Sequence, residues 1–333
     1  RFAPFGWAIL KPFYPLFGKS HVTHAVERAI ACGRSPQDIF FFIEDDMIPQ
    51  AKAELQARGI AIPYENFIPE ILGRDSTGKE KALEKAAMFG MAAQHIAALR
   101  GPYTVMVFER SDLVLQGDTE EETRAIFGEL GKAIDNATTA ASLEPTIGIL
   151  GNPPVEADRK AIVAGTLTPP SGKGYIFPFS LQEVDPLVQG VQAVNKFHEK
   201  PRDNSVAQGY IANDATYNGS YFIFSARSVL KGFEYTRPEE EFRQLMTYGT
   251  ALSSENEAQA RQTATDYFVH DTERRVPFEQ GVAEKLAPVS GTPDQRLGLV
   301  VAPLGQSVAK NWVGSQGTLA AVWGSERSGS NYI

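Results

Sequence analysis

The sequence predicts an α/β fold, with a mixed, mostly parallel sheet covered by helices on both faces. Three observations lead there. Short, continuously apolar runs alternate with stretches of helical period, the order of a wound α/β sheet. The runs are apolar on consecutive residues, as in strands buried on both sides. Capping residues and glycine or proline stops separate one element from the next.

In chain order, Ser20 is placed to cap a helix carrying Val22, Ala25, Val26, Ala29 and Ile30 on one face, and Gly33 stops it. Ile39 to Ile43 reads as a buried strand, and Pro49 to Arg58 as a short helix ended by Gly59. A long helix is expected over Thr77 to Leu99, with Gly101-Pro102 as its stop, and a strand over Tyr103 to Phe108. Thr119 and Glu122 form a capping box that opens a helix to about Ala140, and Thr146 to Leu150 is the third strand. Further strands are expected over Tyr175–Phe179, Val191–Phe197, Tyr221–Phe224 and Leu297–Val301. Helices are expected over Pro238–Tyr248, Glu255–Tyr267 and Phe278–Leu286, and Asn152 to Lys173 reads as an inserted loop.

Composition narrows the function classes. A length of 333 residues fits two ordinary domains or one large α/β domain, and no linker divides the chain. With 43% hydrophobic and 22% charged residues, a sizeable core is available and disorder is excluded as the dominant state. The net charge of −8 argues against a protein that coats nucleic acid or an anionic membrane, yet permits a local basic pocket. A single cysteine, Cys32, excludes a disulfide framework and suits a reducing cytoplasm, where the protein is expected. No apolar run approaches the ~18 residues of a membrane span.

Several local motifs invite chemistry. Gly73 to Lys79 has phosphate-loop spacing, but Glu80 stands where Ser or Thr would bind magnesium, so a capped helix start is the plainer reading. His21 and His24 share a helix without a carboxylate at ligand spacing, which favours surface or core roles over a metal pair. The acidic trio Glu44-Asp45-Asp46 follows a strand's carboxyl end, where ligands bind in α/β sheets, though a solvated loop is the plainer reading. Asp112 lies just past the Tyr103–Phe108 strand, where a carboxylate can hold Mg²⁺ or simply cap a helix. Phe197-His198-Glu199-Lys200-Pro201 ends a strand with an acid for sugar hydroxyls and an ammonium for a phosphate. Neighbouring strand residues face opposite ways, so Glu199 and Lys200 share one spot only if the strand breaks there, as Pro201 suggests. Gly172-Lys173-Gly174 would allow a ligand close to the backbone.

Taken in order, these segments resemble the sugar-1-phosphate nucleotidyltransferase family, and within it the mannose-1-phosphate guanylyltransferases (GDP-mannose pyrophosphorylases). Phe197 to Pro201 followed by Tyr217-Asn218-Gly219-Ser220-Tyr221-Phe222 is similar to F-x-E-K-P followed by W-N-S-G-x-F. Ser171 to Ile176 resembles T-G-Y-G-Y-I, and Thr146-Ile147-Gly148-Ile149 resembles T-L-G-I. Glu65 to Glu70 with Gly73 to Thr77 is similar to E-N-I-I-x-E-P-x-G-R-N-T, Ser111 to Val114 to S-D-H-V, and Phe278 to Lys285 to I-D-Y-A-V-M-E-K. Arg1, Pro4, Lys11 and Pro12 fall where the family has R-L-x-P and then K-P, so the chain is expected to start inside a phosphate-binding signature.

The resemblance implies a Rossmann-like nucleotidyltransferase fold in a single domain over 1–333. Residues 1–151 would form its nucleotide-binding part and 152–333 a smaller sugar-binding lobe with the C-terminal part. The family's appended β-helix is expected to be absent. Implied roles follow: Arg1 and Lys11 on the nucleotide phosphates, Asp112 on Mg²⁺, Lys200 on the sugar phosphate, and Arg74, Gly174, Glu199 and Asn218 on substrate. The implied reaction joins a sugar-1-phosphate, mannose-1-phosphate first, to a nucleoside triphosphate, GTP first, and expels pyrophosphate. Neither nucleic acid nor membrane is an expected partner, and homo-oligomerisation stays open. One departure stands out. The family ends on W-x-D-V-G-S-W, whose aspartate is a second Mg²⁺ ligand, and Trp312 holds that position here. The alternative expectation is therefore a catalytically impaired paralogue that binds nucleotide or sugar nucleotide as a regulatory or partner subunit.

Overall fold

The computed structural model describes residues 13, 15–16, 18–70, 72–81, 85–109, 113–142, 146–170, 173–179, 188–254, 256–269, 277–287 and 298–313. Arg1, Lys11 and Asp112 lie outside the described residues.

A short ladder of β1 (Pro15–Leu16) and β2 (Lys19–Ser20) leads directly into α1 (His21–Ala31). Ser20 Oγ accepts from the Thr23 N–H at 3.2 Å, the expected cap. Gly33 follows with φ of +85°, a conformation that suits glycine. β3 (Phe41–Glu44) and β4 (Phe67–Glu70) pair in parallel, joined through α2 (Ile48–Gln56). Asp45 and Asp46 sit exposed in the turn between β3 and α2.

The stretch expected to begin a helix at Thr77 is instead a hairpin, β5 (Gly73–Arg74) against β6 (Glu80–Lys81), and α3 runs over Lys85–Arg100. Asp75 explains the difference. Its Oδ1 accepts from the backbone N–H of Thr77 at 2.9 Å and of Lys79 at 3.0 Å, and Gly78 at φ +79° turns the chain back. The same short polar side chains that cap helices also close turns.

β7 (Val105–Phe108), β8 (Val114–Leu115), α4 (Glu120–Ser142) and β9 (Thr146–Asn152) come next, and all but the two-residue β8 were expected. Glu122 N–H donates to Thr119 Oγ1 at 3.1 Å, while the Glu122 carboxylate reaches back to the Asp118 N–H at 2.8 Å. The segment read as a loop contains α5 (Glu156–Val163) ahead of β10 (Gly174–Pro178) and β11 (Gln192–Glu199). α6 (Asn204–Ala212) and α7 (Ala226–Thr236), on either side of β12 (Thr216–Ser225), were not expected. Their caps are plain: Asp203 accepts from the Ser205 N–H at 2.8 Å, and Ser225 from the Ser228 N–H at 3.1 Å. α8 (Glu239–Ser253), α9 (Glu257–Thr263), two π-helical turns at 264–269 and 279–283, α10 (Glu284–Leu286), β13 (Gly298–Pro303), α11 (Gln306–Lys310) and β14 (Trp312–Val313) complete the described chain. No helix among the described residues is long and apolar enough to cross a membrane.

Six strands form the main sheet in the order β10-β11-β13-β9-β12-β7. The sheet is mixed, and its parallel majority lies in direction more than in pairing. Four of the six strands run one way, but β11 and β12 run the other, so only β13 and β9 are parallel neighbours. Residues of β9, β12 and β13 alternate between two apolar layers, as strands covered on both faces must. Ile147, Ile149, Phe222, Phe224 and Val301 pack with Phe89 of α3, Phe233 of α7 and Leu245 of α8. Leu150, Tyr221, Ile223 and Val300 pack with Leu130 and Ile134 of α4. A cavity of about 980 Å³ is lined by residues of β3, β7, α1 and α3. Its lining is chiefly apolar, including Phe41, Ile43, Met88 and Val107, and it contains none of Gly174, Glu199 or Asn218.

Candidate active site

Three strands bring together the residues expected on the sugar side. Gly174 opens β10, Glu199 closes β11 and is its register partner, and Asn218 lies near the start of β12. A second pairing, Tyr175 opposite Tyr217, draws the start of β12 against β10. The approach is close enough that a Cβ on Gly174 would stand 2.2 Å from Glu199 Oε2 and 3.1 Å from Asn218 Cβ. Glycine is required there by space, not by backbone angle.

Glu199 and Lys200 do serve one spot, because the strand breaks between them. Lys200 takes φ of +52°, unusual for a side-chain-bearing residue and more so before Pro201. That bend sets Lys200 Nζ 3.4 Å from Glu199 Oε1. The Glu199 side chain is only 7% exposed and Lys200 is 56% exposed, so the acid is built into the floor while the ammonium reaches solvent. Two hydrogen bonds hold the bend: Lys200 N–H donates to the Lys173 backbone O at 3.1 Å, and Glu199 N–H to the Glu284 side-chain Oε1 at 2.5 Å. Glu284 belongs to the segment resembling I-D-Y-A-V-M-E-K, yet no role was expected of it. His198 faces the other way, its Nδ1 2.8 Å from Tyr210 Oη.

Asn218 Oδ1 accepts from the Ser220 N–H at 2.9 Å, which fixes the amide and leaves its NH₂ as the donor. The order Gly219-Ser220 reverses the family's S-G. Ser220 occupies the left-handed conformation, φ +59°, at the place where the motif has glycine. Gly219 is needed for another reason, since a Cβ there would lie 2.8 Å from Leu150 O.

Arg74 sits exposed in the β5–β6 hairpin, its N–H donating to Thr265 Oγ1 at 3.0 Å beside the π-helical turn at 264–269. The residues expected on the nucleotide side, Arg1, Lys11 and Asp112, fall outside the described residues. The segment around Trp312 is described: β14 pairs with β8, Trp312 opposite Leu115 and Val313 opposite Val114. The position of the family's second aspartate is thus paired with β8, the strand that begins two residues after Asp112. Asn311 does not replace that aspartate, because its Nδ2 donates to Ser307 O at 2.9 Å and lies 3.4 Å from Glu122 Oε1. Among the described residues, no group of three or more His, Cys, Asp or Glu could hold a metal ion. Mg²⁺ wants hard oxygen donors, and an indole supplies none. Asp112 lies outside the described residues and Trp312 supplies no carboxylate at the other position, so no step below runs through the ion.

The fold has counterparts among solved structures. The chain has the Rossmann-like α/β fold of sugar nucleotidyltransferases. It matches the mannose-1-phosphate geranyltransferase from Thermus thermophilus with a TM-score of 0.58 at 19% identity, over 89% of this chain and 68% of that one. It also matches the mannose-6-phosphate isomerase from Helicobacter pylori with a TM-score of 0.55 at 14% identity, over 89% of this chain and 94% of that one. At such identities the likeness speaks for the fold alone. No protein-family model and no curated protein sequence matches the chain.

Proposed function

We propose that the protein transfers a nucleotidyl group from a nucleoside triphosphate to a sugar-1-phosphate, with GTP and mannose-1-phosphate as its substrates. The observation that carries this reading is the convergence of Gly174, Glu199, Lys200 and Asn218 from three strand ends. The buried Glu199 carboxylate accepts from sugar hydroxyls, the Asn218 amide donates to one, and side-chain-free Gly174 lets the ring approach the backbone. Lys200, on the solvent side, neutralises the sugar phosphate. A phosphate oxygen of the sugar-1-phosphate then attacks the α-phosphorus in line, the bond to the bridging oxygen breaks, and pyrophosphate leaves. Arg1 and Lys11 take the roles that the resemblance implies for them and neutralise the triphosphate. Such a transfer needs positioning and charge neutralisation rather than a nucleophilic side chain.

Titration calorimetry with GDP-mannose tests the sugar assignment. Glu199→Gln keeps the volume but trades an acceptor for a donor, and should weaken binding roughly tenfold or more. Equal affinity in the two proteins removes Glu199 from the sugar site. A second reading, a binding subunit without turnover, is favoured by Trp312 at the second aspartate position. It predicts GDP-mannose binding in a protein that releases no pyrophosphate.

A further inference from the structure

On the edge away from β10, β11 pairs with β13 at Gln192 and Ala193, so by Glu199 the ladder offers no strand acceptor there among the described residues. A side chain stands in for the strand. Glu284 Oε1 accepts the Glu199 N–H at 2.5 Å, and a charged acceptor makes the bond stronger than a neutral one would. This bond meets the backbone at the residue that carries the buried carboxylate, one position before Lys200. Lys200 itself sits at φ +52°, a conformation that persists only where the surroundings impose it.

Glu284 is firmly mounted. The π-helical turn at 279–283 leads into it, a rare backbone form that recurs at functional sites. Val282, Ala283 and Leu286 around it are completely buried. The next residue, Lys285, donates from Nζ to Thr236 O at 2.9 Å, at the end of α7. The core therefore fixes the Glu284 carboxylate, and the carboxylate fixes the strand end. We propose that Glu284 is a positioning residue of the sugar site, which holds the Glu199 backbone so that the Glu199 carboxylate and the Lys200 ammonium meet beside Gly174. The consequence for ligand binding rests on the function proposed above; the anchor rests on the hydrogen bond itself.

Three substitutions separate the anchor from the charge. Glu284→Gln keeps an acceptor oxygen at the same reach and loses the charge. Glu284→Asp keeps the charge and withdraws it by one methylene. Glu284→Ala removes the acceptor, and where it fails to fold Glu284→Asp still answers. In hydrogen exchange followed by NMR, the Glu199 amide should exchange roughly tenfold faster in Glu284→Ala and Glu284→Asp, and within about threefold of the parent in Glu284→Gln. Titration calorimetry with GDP-mannose should follow the same order, with affinity roughly tenfold weaker in the first two and largely recovered in Glu284→Gln. KM for mannose-1-phosphate should rise in step while KM for GTP holds, a split that a general loss of stability would not produce. Equal protection of the Glu199 amide in every variant overturns the anchor. Faster exchange with undiminished GDP-mannose affinity overturns the positioning role. So does an affinity lost in Glu284→Gln as fully as in Glu284→Ala while the amide stays protected, because the charge would then be what matters. If the parent protein binds no GDP-mannose, the proposed function fails and the exchange alone decides the anchor.

Discussion

Replacing Gly174 by alanine should cut kcat/KM for pyrophosphate release by about a hundredfold, the usual consequence of moving a positioning group by about an ångström. The added methyl would lie 2.2 Å from Glu199 Oε2, 3.1 Å from Asn218 Cβ and 3.2 Å from Phe197 Cζ. The nearest atom is the end of a side chain, so the protein can fold by swinging the carboxylate aside. Stability should therefore fall by only about 1–3 kcal/mol, the ordinary cost of overpacking. Steady-state kinetics beside urea denaturation separates the two effects. Activity near the parent level in folded Gly174→Ala means that the carboxylate's position does not matter to turnover.

Phe278→Ala should have the opposite profile, a large loss of stability first and of activity through it. Phe278 is completely buried, and its ring lies 4.8 Å from Phe89, 5.1 Å from Phe222 and 5.9 Å from Phe224, centroid to centroid. It therefore joins α3 and β12 to the turn at 279–283, which leads to Glu284 and its bond to the Glu199 backbone. Removing a buried phenylalanine costs about 3–5 kcal/mol, a large part of the roughly 5–15 kcal/mol that holds a domain folded. Guanidinium denaturation should show the midpoint displaced accordingly. A loss below about 1 kcal/mol would mean that the cavity collapses freely and the aromatic cluster is not what supports the site.

Much of the sheet was legible because its strands are apolar on consecutive residues. β7, β9, β10, β11 and β13 lie within a few residues of expectation, β12 begins at Thr216 where Tyr221 was expected, and the caps at Ser20 and Thr119 open helices as read. Strand direction was not legible. Periodicity reports which faces are buried, not whether a neighbour runs parallel, so the insertion of β12 between β9 and β7 could not be seen. The helix expected from Thr77 was misplaced because Asp75 closes a hairpin there, and short polar side chains serve turns as readily as caps. At the site, Gly174, Glu199, Lys200 and Asn218 were readable as motif residues, and the structure brings them together in space. Their support was not: Glu284 lies 85 positions from Glu199. Nothing local in a sequence announces a partner at that distance. Lys200 was readable only in part, since Pro201 signalled the break and the left-handed bend itself needed the structure.

The most direct measurement is pyrophosphate release by the full-length protein given GTP, mannose-1-phosphate and Mg²⁺. Release that depends on both the nucleotide and the sugar phosphate, and that falls about a hundredfold in Gly174→Ala, is the predicted result. No release with any sugar-1-phosphate and nucleoside triphosphate would contradict it, and GDP-mannose binding by such a silent protein would favour the binding subunit instead.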